Sequence, residues 1–407
     1  MLYLFKRPKS IQKKQEWSMG EFYYGEDDDL NYDMIEDVSN VKSISSSLLL
    51  GSTDWTADTI VSQVEKKNIL LDPDFQRRDA WKAPRKSAFI ESLILGFPIP
   101  QIVLAENKNK RGSFIVIDGK QRLLTLMQFF GKKGYSKLKL TNLKILTKCN
   151  NKTIDDIKKD LSLSHYIDNV ENAAIRTVVI KNWDDESILY QIFLRLNTNT
   201  VSLSPQELRG ALHPGPFVKF ADEFSEKNKN IKKIFNIKKD PDFRMRDIEL
   251  FIRFVGFKLF IEDYRGNLKK FLDDTCLILN KNWDTKESIV NEIADDFDIG
   301  VSTTYVIFGK NAYHKWIKNG YENKFNRAIF DIMMYYFSNR DISETAKQNK
   351  VLVKKCFESL CENNNEFMSS LERTTKSIAA TKTRYTVWGN ALYETLGIEI
   401  KIPVVTK

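Results

Sequence analysis

Asp118-Gly119-Lys120-Gln121-Arg122 packs a carboxylate, a glycine, an amide and two cations into consecutive positions. Before it, Phe114, Ile115, Val116 and Ile117 read as a short buried strand. After it, Leu123, Leu126, Met127 and Phe130 fall at the spacing of one helix face. The polar residues therefore sit at a strand-to-helix junction and occupy the first helical turn. A helix start offers unpaired N–H groups and a partial positive charge, which favours an anion. Gly119 allows a tight turn and a close approach of ligand to backbone. Arg122 adds a planar donor fork suited to phosphate oxygens, and Lys120 a compact charge. Asp118 stands where it could hold Mg2+ or orient water, and Gln121 could bond a base, sugar or water. Taken alone, the pentapeptide is also what a solvated Asp-Gly turn ahead of a helix looks like.

Two other segments bear on the junction. Gln76, Arg77 and Arg78 in "DPDFQRRDAW" precede a helix that begins after Pro84 and stops at Gly96. Asn197 and Asn199 lie in a polar loop ahead of Ser204-Pro205-Gln206-Glu207. That tetrapeptide is a capping box with proline at the first helical position. Glu207 is thus read as a cap rather than a catalyst, and the two asparagines as ligand contacts or turn formers. His213, in "ALHPG", is read as a helix-end residue.

The elements that must carry these residues alternate strand and helix. "DWTADTIVSQVEKKNI" reads as a helix, and "LLDPDF" as a short extended piece. "FPIPQIVLAE", "NKNKRG" and "SFIVI" read as strand, hairpin loop and returning strand. "AAIRTVVIKNW" reads as a strand and "DDESILYQIFLRLN" as a helix. From about residue 216 the pattern is helical, through "DIELFIRFVGFKLFIEDY", "NLKKFLDDTCLILNKNW", "NRAIFDIMMYYFSN" and "RYTVWGNALYETLG". The expected division is a polar, acidic extension over residues 1–45, an α/β domain over 46–215 and a helical domain over 216–407.

Composition bounds the rest. With 407 residues, 42% of them hydrophobic and 26 Phe, the chain has ample material for a core. Cys149, Cys276, Cys356 and Cys361 lack paired C-x-x-C spacing and are expected to be reduced. Three histidines (His165, His213, His314) do not suggest a structural zinc site. No signal peptide and no apolar run of about 18 residues is evident, so the reading is a cytoplasmic protein without a membrane span. The net charge of +9 is uneven: residues 16–37 carry nine acids and no Lys or Arg. Residues 101–150 carry eleven Lys or Arg against Glu106 and Asp118. Such a segment suits a phosphate-bearing partner, and the acidic leader could fold back to mask it.

Three motifs in order are more specific than any one of them. "FQR…W…ESLILGFPIP", then "VIDGKQRLLTL", then "LRLNT…LSPQELR" resemble the GmrSD-type restriction endonuclease N-terminal domain family over roughly residues 50–215. The resemblance implies an α+β chain: a ParB/sulfiredoxin-like mixed α/β N-terminal domain followed by an all-helical C-terminal domain. It also implies an anti-phage restriction system and a junction motif, usually D-G-Q-Q-R, that serves nucleotide binding and hydrolysis. On that basis Asp118, Gln121 and Arg122 are the expected catalytic residues, with Asp118 also on the metal. Gly119, Lys120, Gln76, Arg77 and Asn197 are the expected nucleotide contacts. Lys120 departs from the family pattern, where a glutamine is usual.

The expected protein is therefore a nucleoside triphosphatase using GTP, ATP or CTP with Mg2+. Its expected partners are DNA and a nuclease or modification enzyme encoded nearby, with homo-oligomerisation open. The alternative is a ParB-like module that binds nucleotide or DNA without hydrolysis; a metal-dependent nuclease ranks third. The histidines are too few and too dispersed for the HNH nuclease domain of longer relatives. The Q-x-x-x-Y pattern of some relatives is missing as well.

Overall fold

The computed structural model describes residues 48–71, 80–108, 110–196, 204–237, 242, 244–318, 320–372 and 375–405. Gln76, Arg77, Arg78, Asn197, Asn199 and the acidic leader lie outside the described residues.

The N-terminal half is built on a mixed sheet of five strands: β1 (Leu49–Thr56), β2 (Ile69–Leu70), β3 (Ile102–Glu106), β4 (Phe114–Asp118) and β5 (Ala174–Lys181). Their spatial order is β1-β5-β3-β4-β2. β5 runs antiparallel to β1 and parallel to β3, and β3 pairs antiparallel with β4 across the expected hairpin. Alternation along the strands feeds two cores. Ile102, Leu104, Val116, Ile175 and Val179 face one side of the sheet. Val103, Ala105, Ile115, Ile117 and Ile180 face the other.

The first face is covered by α1 (Ala57–Glu65), α2 (Ala83–Ile94), α3 (Lys120–Phe129), α4 (Ile154–Lys159) and α5 (His165–Glu171). The second is covered by α6 (Glu186–Leu196) and α7 (Pro205–Leu212), both of which pack on β4. The helix starts follow their sequence signals. Thr56 caps α1, Thr153 with Asp156 forms a capping box on α4, and Ser204 with Glu207 forms one on α7.

The C-terminal half is mostly helical: α8 (Pro216–Lys227), α9 (Lys229–Ile234), α10 (Arg246–Phe260), α11 (Leu268–Lys281), α12 (Trp283–Phe308), α13 (Arg327–Phe337), α14 (Arg340–Gln348), α15 (Lys350–Asn363), α16 (Asn365–Glu372) and α17 (Ile378–Leu396). Asparagines 228, 267, 326 and 339 cap α9, α11, α13 and α14. One aromatic-rich core joins these helices. Phe254 on α10 is buried in it, whereas Leu259, near the end of the same helix, is only partly covered. The half is not all-helical: β6 (His314–Ile317) and β7 (Gly320–Phe325) form an antiparallel hairpin, in which Trp316 meets Tyr321 edge-on at 4.9 Å.

α7 is where the two halves meet. It packs on β4 in the sheet and also touches α10. All four cysteines are free, and burial pushes the Cys276 and Cys361 thiols up to about 12.

Candidate functional site

β4 delivers Asp118 as its last residue, immediately after an irregularity in the ladder. Val103 pairs with Asp118 but Leu104 with Val116, which leaves Ile117 unopposed. Such a bulge re-aims the strand end and is common beside functional sites. Gly119 then adopts the left-handed conformation (φ 103°) as the N-cap of α3. A Cβ there would stand 3.0 Å from Ile102 Cγ1 and 3.3 Å from an Arg122 guanidinium nitrogen. Glycine is thus required both by its dihedral and by the crowding. Having no side chain, it also leaves α3 without a side-chain cap.

Arg122 turns back across this turn. Its Nη2 donates to Asp118 Oδ2 at 2.6 Å and to the Gln101 carbonyl at 3.0 Å. The residue is only 9% exposed, and its Nε is buried without a hydrogen-bond partner. Asp118 keeps 29% of its side chain in solvent. The junction is therefore open to solvent at Asp118 and closed over Arg122. Gln121 accepts a hydrogen bond from the Trp81 backbone N–H at 3.2 Å. Trp81 packs edge-on against Phe89, with the Arg85 guanidinium 4.7 Å over its ring. The first turn of α3 is thereby tied to the entry of α2.

Lys120 is placed differently from the expectation of a phosphate contact. Its Nζ donates to Glu207 Oε1 at 2.8 Å, with the two side chains only 7% and 6% exposed. Glu207 also completes the capping box, accepting from the Ser204 backbone N–H through Oε2 at 2.7 Å. One carboxylate thus serves as helix cap and ion-pair partner at once. Local spacing shows the first role and is blind to the second, because the partners lie 87 residues apart.

A second polar cluster follows along α7. Arg209 is fully buried; its Nε donates to Asp273 Oδ1 and its Nη1 to Gln206 Oε1, both at 2.6 Å. The other Asp273 oxygen accepts from Lys269 at 2.9 Å. Burial would raise the Asp273 pKa, but Arg209, Lys269 and His213 outweigh it and hold the carboxyl below its usual range. Glu186, His213 and Asp273 bring three ligand-type atoms within 4.8 Å of one another, the one such group among the described residues. Both Asp273 oxygens already face cations, so the group is balanced by Arg209 and Lys269 rather than arranged around a metal. Lys269 and Asp273 stand at i,i+4 spacing on one helix, but nothing in the local sequence joined Arg209 to them.

The basic segment is partly neutralised: Lys120, Arg122, Lys132 and Lys137 are in ion pairs with Glu207, Asp118, Glu65 and Asp155. Lys139, Lys144 and Lys148 stay exposed on the ordered stretch after α3. Glu91 pins that stretch by accepting from the Ile145 and Leu146 backbone N–H groups.

Fold and site together define a mixed α/β domain with a strand-to-helix junction built on a left-handed glycine, continued by a mostly helical half. Residues 58–214 match the family described as GmrSD restriction endonuclease, N-terminal domain, which supports the resemblance drawn from the three motifs. A domain of this kind implies a component of a restriction or defence system. No curated protein and no solved structure matches the chain. Among the described residues, no helix is long and apolar enough to cross a membrane.

Proposed function

We propose that the β4–α3 junction binds the phosphates of a nucleoside triphosphate and that the chain hydrolyses it slowly, as a ParB-like module acting with DNA or a partner nuclease. The carrying observation is Arg122: a charged side chain about nine-tenths buried, with a free Nε, at a helix start without a side-chain cap. Buried polar atoms without partners are rare and call for an explanation. The α3 backbone N–H groups would face the anion, and Gly119 keeps that approach open.

Arg122 holds Asp118 by one oxygen, so its first role is to orient that carboxylate. Mg2+ commonly takes one or two protein carboxylates, its other positions being filled by phosphate oxygens and water. A single, partly exposed Asp118 fits that requirement. When bound, the ion would neutralise charge developing on the phosphates. Gln121 fixes the approach of the Trp81 segment to the first turn of α3. The pairings of Lys120 and Arg122 cancel their charges, so attraction for the anion rests on the helix start and on opening of the Asp118–Arg122 pair.

Titration calorimetry and phosphate release with GTP, ATP and CTP test this reading. Asp118→Asn should bind nucleotide with near-parent affinity while phosphate release falls at least tenfold. Arg122→Ala should lose nucleotide affinity and some stability, because the Gln101 carbonyl and Asp118 lose their donor. Arg122→Lys, which keeps the charge but not the fork, should restore stability more than affinity. Parent-like binding and turnover in both Asp118→Asn and Arg122→Ala would reduce the junction to a turn.

A further inference from the structure

We propose that α7 is a transmission helix, coupling the state of the β4–α3 junction to the helical half through buried ion pairs on its two sides. In its nucleotide arm this rests on the reading of the junction given above; the structural coupling stands without it.

Glu207 and Arg209 are two residues apart on α7, so about 200° of helical rotation separates them. They project to opposite sides of one short rod. Glu207 reaches Lys120, the residue next to Gly119 in the first turn of α3. Arg209 reaches Asp273 on α11, and Gln206, one turn earlier on the same side, steadies its guanidinium. Arg209 stays charged: desolvation would lower its pKa, but Asp273 more than reverses this.

α11 holds α7 at a second point. Asn280 lies seven residues, nearly two turns, beyond Asp273 and so on the same face of α11. Its Nδ2 donates to the carbonyl of His213, the C-cap of α7, at 2.9 Å. Its Oδ1 accepts from the Phe217 and Val218 backbone N–H groups at the start of α8. Gly215 makes this possible, since a Cβ there would fall 2.3 Å from Asn280 Cγ. The middle and the C-terminal end of α7 are thus held by α11 from outside the sheet domain, while its start is anchored at the junction. In a poorly solvated setting, a shift of Lys120 that strands Glu207 is costly, so α7 must follow α3 or lose its partner. Movement of α7 in turn displaces Arg209 from Asp273.

The test is amide hydrogen exchange on the full chain. Lys120→Gln/Glu207→Gln removes both charges together and leaves neither buried alone. Exchange of the α11 amides should rise at least tenfold, while the α15 amides, remote from α7, keep the parent rates. Coupling is reciprocal, so Arg209→Gln/Asp273→Asn should loosen the amides of α3 while those of α15 stay fixed. Unchanged α11 and α3 amides, or a uniform rise across the chain, overturns the proposal; if one double variant does not fold, the other decides. In the parent, saturating GTP, ATP or CTP with Mg2+ should alter α11 protection along with α3. Absence of calorimetric binding for all three would sink the nucleotide reading, while the double variants still decide the coupling.

Discussion

Two buried aspartates, each set between two cations, do different work in this protein. Asp331 on α13 receives Arg253 of α10 through two bonds, at 2.5 and 2.6 Å, and Arg384 of α17 at 3.4 Å. All three residues are buried within the helical half. Asp273 on α11 receives Lys269 of its own helix and Arg209 of α7, which belongs to the family-matched segment. The chemistry is nearly the same, but Asp331 fixes the packing of one core whereas Asp273 joins two. Breaking a buried pair is costly wherever it lies; what differs is which parts of the fold come apart together.

The largest effect should come from Asp331→Ala. It leaves two guanidinium groups buried without their anion, for a loss of roughly 3–5 kcal/mol. A thermal melt should show the whole helical half failing together; a parent-like melting temperature would mean that Arg253 and Arg384 find other partners. Phe254→Ala should follow closely, at about 3–5 kcal/mol for truncating a buried ring in the same core. Leu259→Ala should cost distinctly less, because that side chain is only partly covered.

Asp273→Asn keeps the shape and removes the charge, for a loss of roughly 1.5–3 kcal/mol, the worth of a hydrogen bond to a charged group. Its signature should be a calorimetric endotherm that splits in two as the halves uncouple; a single sharpened peak would argue that Arg209–Asp273 is local packing. This effect also depends on pH. The folded Asp273 pKa lies below the unfolded value of about 3.9, so its stabilisation is complete above that pH. It is lost as pH falls through the folded pKa. The gap in melting temperature between the parent and Asp273→Asn should hold near pH 7 and shrink as pH falls below about 4. Smallest of all, Ser204→Ala should remove one half of the α7 capping box for about 1 kcal/mol. A much larger loss would show that the cap also positions Glu207 for Lys120.

The β3–β4 hairpin, the junction, the α7 capping box and the helical second half were legible in the sequence because each follows from local periodicity or spacing. β1 was not. Leu49 and Leu50 are exposed and the strand shows no regular alternation of burial, since backbone pairing with β5 holds it at the sheet edge. The β6–β7 hairpin was lost among flanking helices because its strands are short. At the junction, residue types pointed to phosphate chemistry, but they carried no sign that Lys120 would be spent on Glu207. Ion pairs between distant segments leave no local signature, and the link from Arg209 to Asp273 was invisible for the same reason.

The position of β5 in the sheet has a consequence for how the protein is made. β1 and β3 both take their neighbour from it, Leu49 pairing with Lys181 and Ile102 with Thr177. A growing chain has therefore exposed β1, the β3–β4 hairpin and five helices before the strand between β1 and β3 leaves the ribosome. Until Ala174–Lys181 emerges, β3 presents an open edge and β1 has nothing to pair with, and long-range pairing of this kind is slow. Until that stretch is translated, the open edge of β3 is a place where the nascent chain can pair wrongly, and a chaperone that covers it would favour the native sheet.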